Sequence, residues 1–97
     1  MYRPDPIDIS GIKLPDNLLA LVEKLAENVH EVWAQGRLND GWRYGKKRDD
    51  KKMETPCLVS YSTLPEKEKK YDRAVVESTL RVILTLGYII IKVPEPH

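Results

Sequence analysis

The sequence predicts an α+β domain that is mostly α, built as a two-helix hairpin with short accompanying β-strands. Two stretches of about twenty residues repeat their apolar positions at the helical period. A middle segment with three of the five glycines separates them. Short runs of aromatic or β-branched residues follow each stretch and have the composition of strands. At 97 residues the chain fits one domain with one modest core, so we expect a single domain over residues 1–97.

Residues 1–13 carry two prolines and few apolar anchors, which predicts an extended N-terminal arm. The first helix is expected to begin at Leu14-Pro15-Asp16, because proline suits the first helical turn and an acidic side chain there faces the positive end of the helix dipole. It should run to about Gln35, with Gly36 as its C-terminal cap. Its predicted core stripe is Leu18, Leu21, Val22, Leu25, Val29, Val32 and Trp33.

The middle of the chain is expected to hold one short strand, Trp42-Arg43-Tyr44, between two glycines. Residues 46–55 mix basic and acidic side chains without an apolar period, which predicts a solvated loop. The segment Leu58-Val59-Ser60-Tyr61 is expected to be extended and packed against the domain.

The second helix is expected to start with a capping box, in which Thr63 and Glu66 satisfy each other's backbone amides. Gly87 should end it, residues 88–93 should form a strand, and residues 94–97 should form a tail. Val29 and Val82 are predicted to be fully buried where the two helices face each other. The stripe of the second helix is Tyr71, Ala74, Val75, Ser78, Val82 and Leu86.

Composition argues against several classes of partner. A formal net charge of +1 provides no long-range attraction for nucleic acid. No apolar run approaches the roughly 18 residues of a membrane span, and the N-terminus lacks the apolar segment of a secretory signal. We therefore expect a cytoplasmic protein that binds neither nucleic acid nor membrane. The single cysteine, Cys57, is interpreted as a small packing residue.

No arrangement of residues identifies a reaction or a metal site. His30-Glu31 resembles the start of a zinc-protease signature, but the second histidine of that signature would stand where this chain has Ala34. We expect no metal, no cofactor and no catalytic residue, and hence a protein that is not an enzyme. His30 is interpreted as a semi-buried structural residue that stabilises a loop by hydrogen bonding.

Aromatic and arginine side chains form the candidate ligand-binding set. Flat apolar faces beside guanidinium groups suit a purine ring and a phosphate. The same side chains are enriched where proteins bind other proteins, so a protein-interaction or self-assembly module is the alternative. The set is Trp33, Arg37, Trp42, Arg43, Tyr44, Tyr61, Tyr71 and Arg73.

Four blocks of this sequence, in order, resemble the RyR domain, a repeat found in pairs in the cytosolic part of ryanodine receptors and singly in bacterial and phage proteins. The resemblance implies a helical hairpin with short strands, no catalysis, and a regulatory module that senses a nucleotide-like ligand or binds a partner. The blocks are Leu25-Ala26-Glu27-Asn28-Val29-His30-Glu31-Val32-Trp33-Ala34, Gly41-Trp42-Arg43-Tyr44-Gly45, Pro56-Cys57-Leu58-Val59-Ser60-Tyr61 and Glu68-Lys69-Lys70-Tyr71-Asp72-Arg73.

A homodimer is also expected. The end of the second helix is apolar on most sides, and three isoleucines follow it, which leaves apolar surface available for association. Receptor repeats of the family that the sequence resembles pack in pairs with approximate two-fold symmetry, so two identical chains could use the same contact. The expected partners are thus a nucleotide-like small molecule, another protein, or a second copy of the chain.

Overall fold

A computed structural model of the protein describes residues 1–94; residues 95–97, which belong to the predicted tail and include His97, lie outside the described residues. Within residues 1–94, three α-helices and two β-strands follow one another, with a 3₁₀ turn before the last helix. They are α1 (Asp16–Leu19), α2 (Val22–Asn39), β1 (Arg43–Tyr44), β2 (Glu54–Thr55), the 3₁₀ turn (Tyr61–Thr63) and α3 (Glu66–Thr85). The mostly α, α+β fold class is confirmed, and α2 packs against α3 as the predicted hairpin.

The predicted first helix is divided into α1 and α2. At the junction the amide of Leu21 donates to the carbonyl of Leu18 at 3.0 Å, a bond one residue shorter than in an α-helix. The backbone of Leu21 nevertheless stays in the helical region. Leu18 and Val22, on either side of the turn, are both buried, and the apolar pattern carries no sign of the break.

Helix α2 ends at Asn39, so the predicted end near Gln35 and the predicted cap at Gly36 are wrong. Gly36 lies inside the helix, while Gly41 adopts a φ of 94°. The amides of Gly41 and Trp42 donate to the carbonyls of Leu38 and Arg37, at 3.1 and 2.9 Å. This is a Schellman motif, which requires the left-handed glycine one residue after the cap. It also reverses the chain, so that Trp42 lies beside the last turn of α2.

The core is centred on a different face of α2 from the predicted one. Val22, Ala26 and His30 are the buried residues of the helix, whereas Val32 is 65% exposed and Val29 is 38% exposed. The expected full burial of Val29 is therefore wrong. The apolar arc of α2 is wider than one neighbouring helix can cover, and α3 packs against its Ala26 side. The core residues are Leu14, Leu18, Val22, Ala26, Tyr61, Leu64 and Val76.

Strands β1 and β2 pair in parallel, with Arg43 opposite Glu54 and Tyr44 opposite Thr55. The strand predicted around Arg43 is thus present, but the sequence offered no sign of its partner. Asp49 and Glu54 also exchange two backbone hydrogen bonds of 2.9 Å each, which close the tip of the loop. Within the predicted solvated loop, residues 46–55, most residues are exposed as expected, but Glu54 and Thr55 form β2 and Thr55 is buried.

Helix α3 begins after Pro65 without the predicted capping box. The hydroxyl of Thr63 donates to the carbonyl of Ser60 at 2.9 Å instead of accepting from a first-turn amide. Thr63 belongs to the 3₁₀ turn, and the intervening Pro65 places the helix start beyond its reach. The predicted end is confirmed: Gly87 has a φ of 94°, and the amides of Gly87 and Tyr88 donate to the carbonyls of Leu84 and Ile83.

The last described segment, residues 88–94, forms no strand, so the strand predicted over residues 88–93 is wrong. β-Branched residues favour a strand only when another strand pairs with them, and no neighbouring strand lies alongside this segment within residues 1–94. Ile90 packs on the core, while Tyr88, Ile89, Ile91 and Val93 are exposed.

Val82, expected to be fully buried, is half-buried. The homodimer stays a prediction.

Within residues 1–13 there is neither helix nor strand, and a turn at Ser10 and Gly11 precedes the buried Leu14. Ile9 and Ile12 are half-buried, so the arm lies against the domain at its C-terminal end. Among the helices of residues 1–94, none combines the length and the apolar content needed to cross a membrane.

Candidate functional site

A cavity of about 470 Å³ lies between the C-terminal half of α2, the N-terminal half of α3 and the loop that contains β2. We call it the interhelical cleft. Its volume falls within the roughly 300–1,000 Å³ of small-molecule sites. The residues that line it are Val29, His30, Trp33, Arg37, Arg48, Thr55, Cys57, Leu64, Glu68, Tyr71, Asp72 and Val75.

Two tryptophans hold an arginine at one end of the cleft. The guanidinium carbon of Arg37 lies 5.0 Å from the ring centre of Trp42 and 5.7 Å from that of Trp33. Trp33 and Arg37 are four residues apart on α2 and therefore share a helix face. Trp42 reaches them because the Schellman motif turns the chain back. Both contacts are within the distance at which a cation is attracted to an aromatic face.

The loop adds a second arginine to this stack. The guanidinium carbon of Arg48 lies 5.8 Å from the ring centre of Trp42, and its Nε donates to Asp50 at 2.9 Å. This bond with Asp50 raises the pKa of Arg48 above its already high ordinary value, so its charge is permanent. Arg37 differs, because the ion pairs formed within residues 1–94 do not include it.

The opposite wall of the cleft is acidic. Glu68 and Asp72 are one turn apart on α3 and both line the cavity. Burial raises the pKa of the Asp72 carboxyl, with the nearby Glu68 acting in the same direction and His30 opposing it. The cleft therefore has a cationic end, formed by Arg37 and Arg48, and an acidic side formed by α3.

His30 connects the cleft to the loop before the 3₁₀ turn. Its Nε2 lies 2.7 Å from the carbonyl oxygen of Val59, and since a carbonyl can only accept, Nε2 carries the proton and donates. The imidazole also stacks on Trp33, with ring centres 5.5 Å apart and planes inclined by 26°. The buried His30 thus positions both Trp33 and the loop that carries Val59.

Two other members of the candidate set, Tyr61 and Arg73, lie outside the interhelical cleft and join α2 to the second half of the chain. The hydroxyl of Tyr61 donates to Glu23 at 2.8 Å, and Arg73 pairs with Glu23 at 3.0 Å and with Glu66. Burial, together with the bond to Glu23, raises the pKa of Tyr61 to about 12. The bonds from Arg73 and Tyr61 lower the pKa of Glu23. These contacts stabilise the hairpin.

A second cavity, of about 510 Å³, opens beside these contacts and is lined by Glu23, Lys24, Glu27, Ser62 and Lys69 together with Ala20 and Tyr61. We call it the Glu23 groove. Lys69 donates to the carbonyl of Ser62 at 3.1 Å and lies 5.5 Å from the ring centre of Tyr61, which ties this cation to its neighbours. In the Glu23 groove, the side chains of Glu23, Tyr61 and Lys69 therefore already have partners within the protein.

The remaining candidates lie on β1. Arg43 pairs with Glu54 at 3.1 Å on the exposed strand, and neither it nor Tyr44 lines either cavity. Trp42 contacts the cleft through the guanidinium groups of Arg37 and Arg48. Of the predicted set, the structure thus brings Trp33, Arg37, Trp42 and Tyr71 together, and it places the other four elsewhere.

The predicted set leaves out Arg48, Glu68 and Asp72, which line the cleft. Arg48 belongs to the segment predicted to be a solvated loop, which connects the paired strands β1 and β2, and its guanidinium lies beside the ring of Trp42. The two acidic residues did leave a signal. Glu68, Tyr71, Asp72 and Val75 are spaced i, i+3, i+4 and i+7, so they share one face of α3. Within residues 1–94, no group of three or more histidine, cysteine or acidic side chains is placed to hold a metal ion.

The family model described as the RyR domain matches residues 2–92 of the chain. The matched region contains every element of regular structure and every residue that lines the interhelical cleft.

Proposed function

Because the chain belongs to the RyR domain family, which suggests a regulatory or interaction module in general, we propose that it is a non-catalytic sensor of a small anionic aromatic ligand. The ligand class is nucleotide-like, and the binding site is the interhelical cleft.

The main support for this function is the environment of Arg37, which combines aromatic contacts with the lack of an ion pair. Arg37 is half-buried, its guanidinium lies within cation–π distance of two indole rings, and every carboxylate of residues 1–94 lies beyond ion-pairing distance. A desolvated cation without an acidic partner is costly, and a bound phosphate or carboxylate would remove that cost through charge-assisted hydrogen bonds. Because the indoles already fix the guanidinium plane, little side-chain entropy would be lost on binding.

The apolar side chains around the cleft support a ring-binding role. Val29, Tyr71 and Val75 have the helical spacing of core residues, yet they line the cavity and stay more than a third exposed. Exposed apolar surface that is concave and bordered by polar groups is typical of ligand sites. Trp33 adds a flat face at the cationic end. A planar ring seated here would cover apolar surface that the hairpin itself leaves open.

The concave shape of the cleft favours a small molecule over the protein partner that the sequence left as the alternative. Stable protein–protein contacts bury roughly 800 Å² on each partner, with the hot-spot residues near the centre of that area. In this protein Arg37 and Tyr71 line a cavity of about 470 Å³, a volume that suits a molecule of nucleotide size.

Nucleotides are expected to raise the melting temperature. A ligand present at about one hundred times its dissociation constant adds about 2.7 kcal/mol to the free energy of unfolding, which is roughly 10 °C or more for a domain of this size. Differential scanning fluorimetry with the nucleoside monophosphates and diphosphates of each base measures this shift.

Inorganic phosphate and the free nucleosides are the matched controls, since each supplies only one half of the proposed ligand. We expect each half to have a much smaller effect than the whole nucleotide. If no nucleotide changes the melting temperature even at millimolar concentration, the proposed ligand class is wrong.

A further inference from the structure

Asp72 lines the interhelical cleft, and within residues 1–94 its carboxylate has no ion-pair partner. It is half-buried on α3, and the ion pairs within residues 1–94 involve other acidic residues. The groups that influence its ionisation are His30 and Glu68, and no hydrogen bond is among these influences. Partial burial of a carboxylate costs free energy unless a donor compensates it. The cleft therefore offers an acceptor that a ligand could satisfy.

The two arginines and Asp72 impose an orientation on any anionic ligand. Its negative group belongs near Arg37 and Arg48, because Glu68 and Asp72 would repel it from α3. The part of the ligand that lies against α3 must in turn supply hydrogen-bond donors. An ionised carboxylate accepts hydrogen bonds through both oxygens and donates none.

On the basis of the proposed function, we propose that Asp72 determines which base the cleft accepts, and that the preferred ligand is a guanine nucleotide. The Watson–Crick edge of guanine carries two adjacent donors, the ring N1–H and the exocyclic 2-amino group, which match the two oxygens of one carboxylate. Adenine offers one donor beside one acceptor on the same edge, and hypoxanthine lacks the 2-amino group. The phosphate of the nucleotide would then lie at the Arg37 end of the cleft.

Isothermal titration calorimetry with GMP and IMP tests this assignment, because these nucleotides differ only in the 2-amino group. The wild-type protein is expected to bind GMP at least about tenfold more tightly than IMP, the difference made by one hydrogen bond to a charged group. In Asp72→Asn one acceptor oxygen is replaced by an amide donor, so the preference for GMP over IMP should disappear. Glu31→Gln, an exposed acidic residue of α2 outside the cleft, should keep it.

The comparison of GMP with IMP on the wild-type protein needs no variant, so it remains decisive even if Asp72→Asn fails to fold. Equal affinities for the two nucleotides, a preference for AMP over GMP, or a preference for GMP that survives in Asp72→Asn would each overturn the role of Asp72. In those cases the cleft would still bind nucleotides and the proposed function would stand. Failure of every nucleotide to bind would instead contradict the proposed function itself.

Discussion

Replacing Leu14 by alanine is expected to lower the free energy of unfolding by about 2–5 kcal/mol, the range for a buried leucine whose cavity cannot collapse fully. Leu14 is 1% exposed and is the most completely buried large side chain among residues 1–94. It precedes α1 and packs in the same core cluster as Leu18 and Leu64. Leu14 therefore couples the end of the arm to the hairpin. Urea denaturation followed by circular dichroism measures the change.

Leu38→Ala is the matched control, because it removes the same atoms from a side chain of α2 that is 55% exposed. Its effect should stay within about 0.5 kcal/mol, as is usual for surface substitutions. Comparable losses from the two substitutions would show that Leu14 does not anchor the core.

Replacing Arg37 by methionine is expected to weaken nucleotide binding by about 10- to 100-fold, because hydrogen bonds to a charged group contribute about 1.5–3 kcal/mol. Methionine keeps most of the length and apolar contact of the side chain, so Trp33 and Trp42 should remain in place. The fold should tolerate the change, since Arg37 takes part in none of the ion pairs within residues 1–94. Calorimetric titration of both proteins with the same nucleotide measures the difference.

Arg43→Met provides the control for this substitution. Arg43 has a side chain that is 69% exposed, pairs with Glu54 and lies outside the cleft. Its replacement removes the same charge from the protein without touching the proposed site, so the affinity should stay within about twofold, a few tenths of a kcal/mol. Equal losses from Arg37→Met and Arg43→Met would mean that only the net charge matters.

The sequence predicted the two long helices and the end of α3, because each depends on local physics. Gly87 illustrates this: a left-handed residue after a helix is a local requirement that glycine meets best. Which of Gly36 and Gly41 ends α2 is also decided by local structure. It was missed because α2 continues through Gly36 at a cost of only about 1 kcal/mol relative to alanine.

The orientation of the helices could not be read from their own residues. The apolar arc of α2 includes both Val29 and Ala26, and only the position of α3 decides that Ala26 is buried while Val29 lines the cleft. The strand expected over residues 88–93 failed for a related reason. A strand needs a partner in space, and β-branched composition does not provide one.

The candidate site was predicted only in part, because some of its contacts follow from spacing along one helix and others join distant parts of the chain. Trp33 and Arg37 are four residues apart on one helix, so their proximity follows from the helical period. Tyr61 and Tyr71 were both predicted to bind the ligand. The hydroxyl of Tyr61, however, donates to Glu23, which is 38 residues away in the chain. That long-range contact separates a structural tyrosine from a candidate binding one, and spacing along the chain does not reveal it.

A titration of the ¹⁵N-labelled protein with GMP, followed by two-dimensional NMR, tests most directly whether the interhelical cleft is the binding site. The chain has only two tryptophans, Trp33 and Trp42, and each gives one indole N–H signal. We expect both indole signals to shift, together with the backbone amides of Arg37, Tyr71 and Asp72. No shift at any signal with millimolar GMP, or shifts confined to the Glu23 groove around Lys24 and Ser62, would contradict the proposal that the cleft senses a nucleotide.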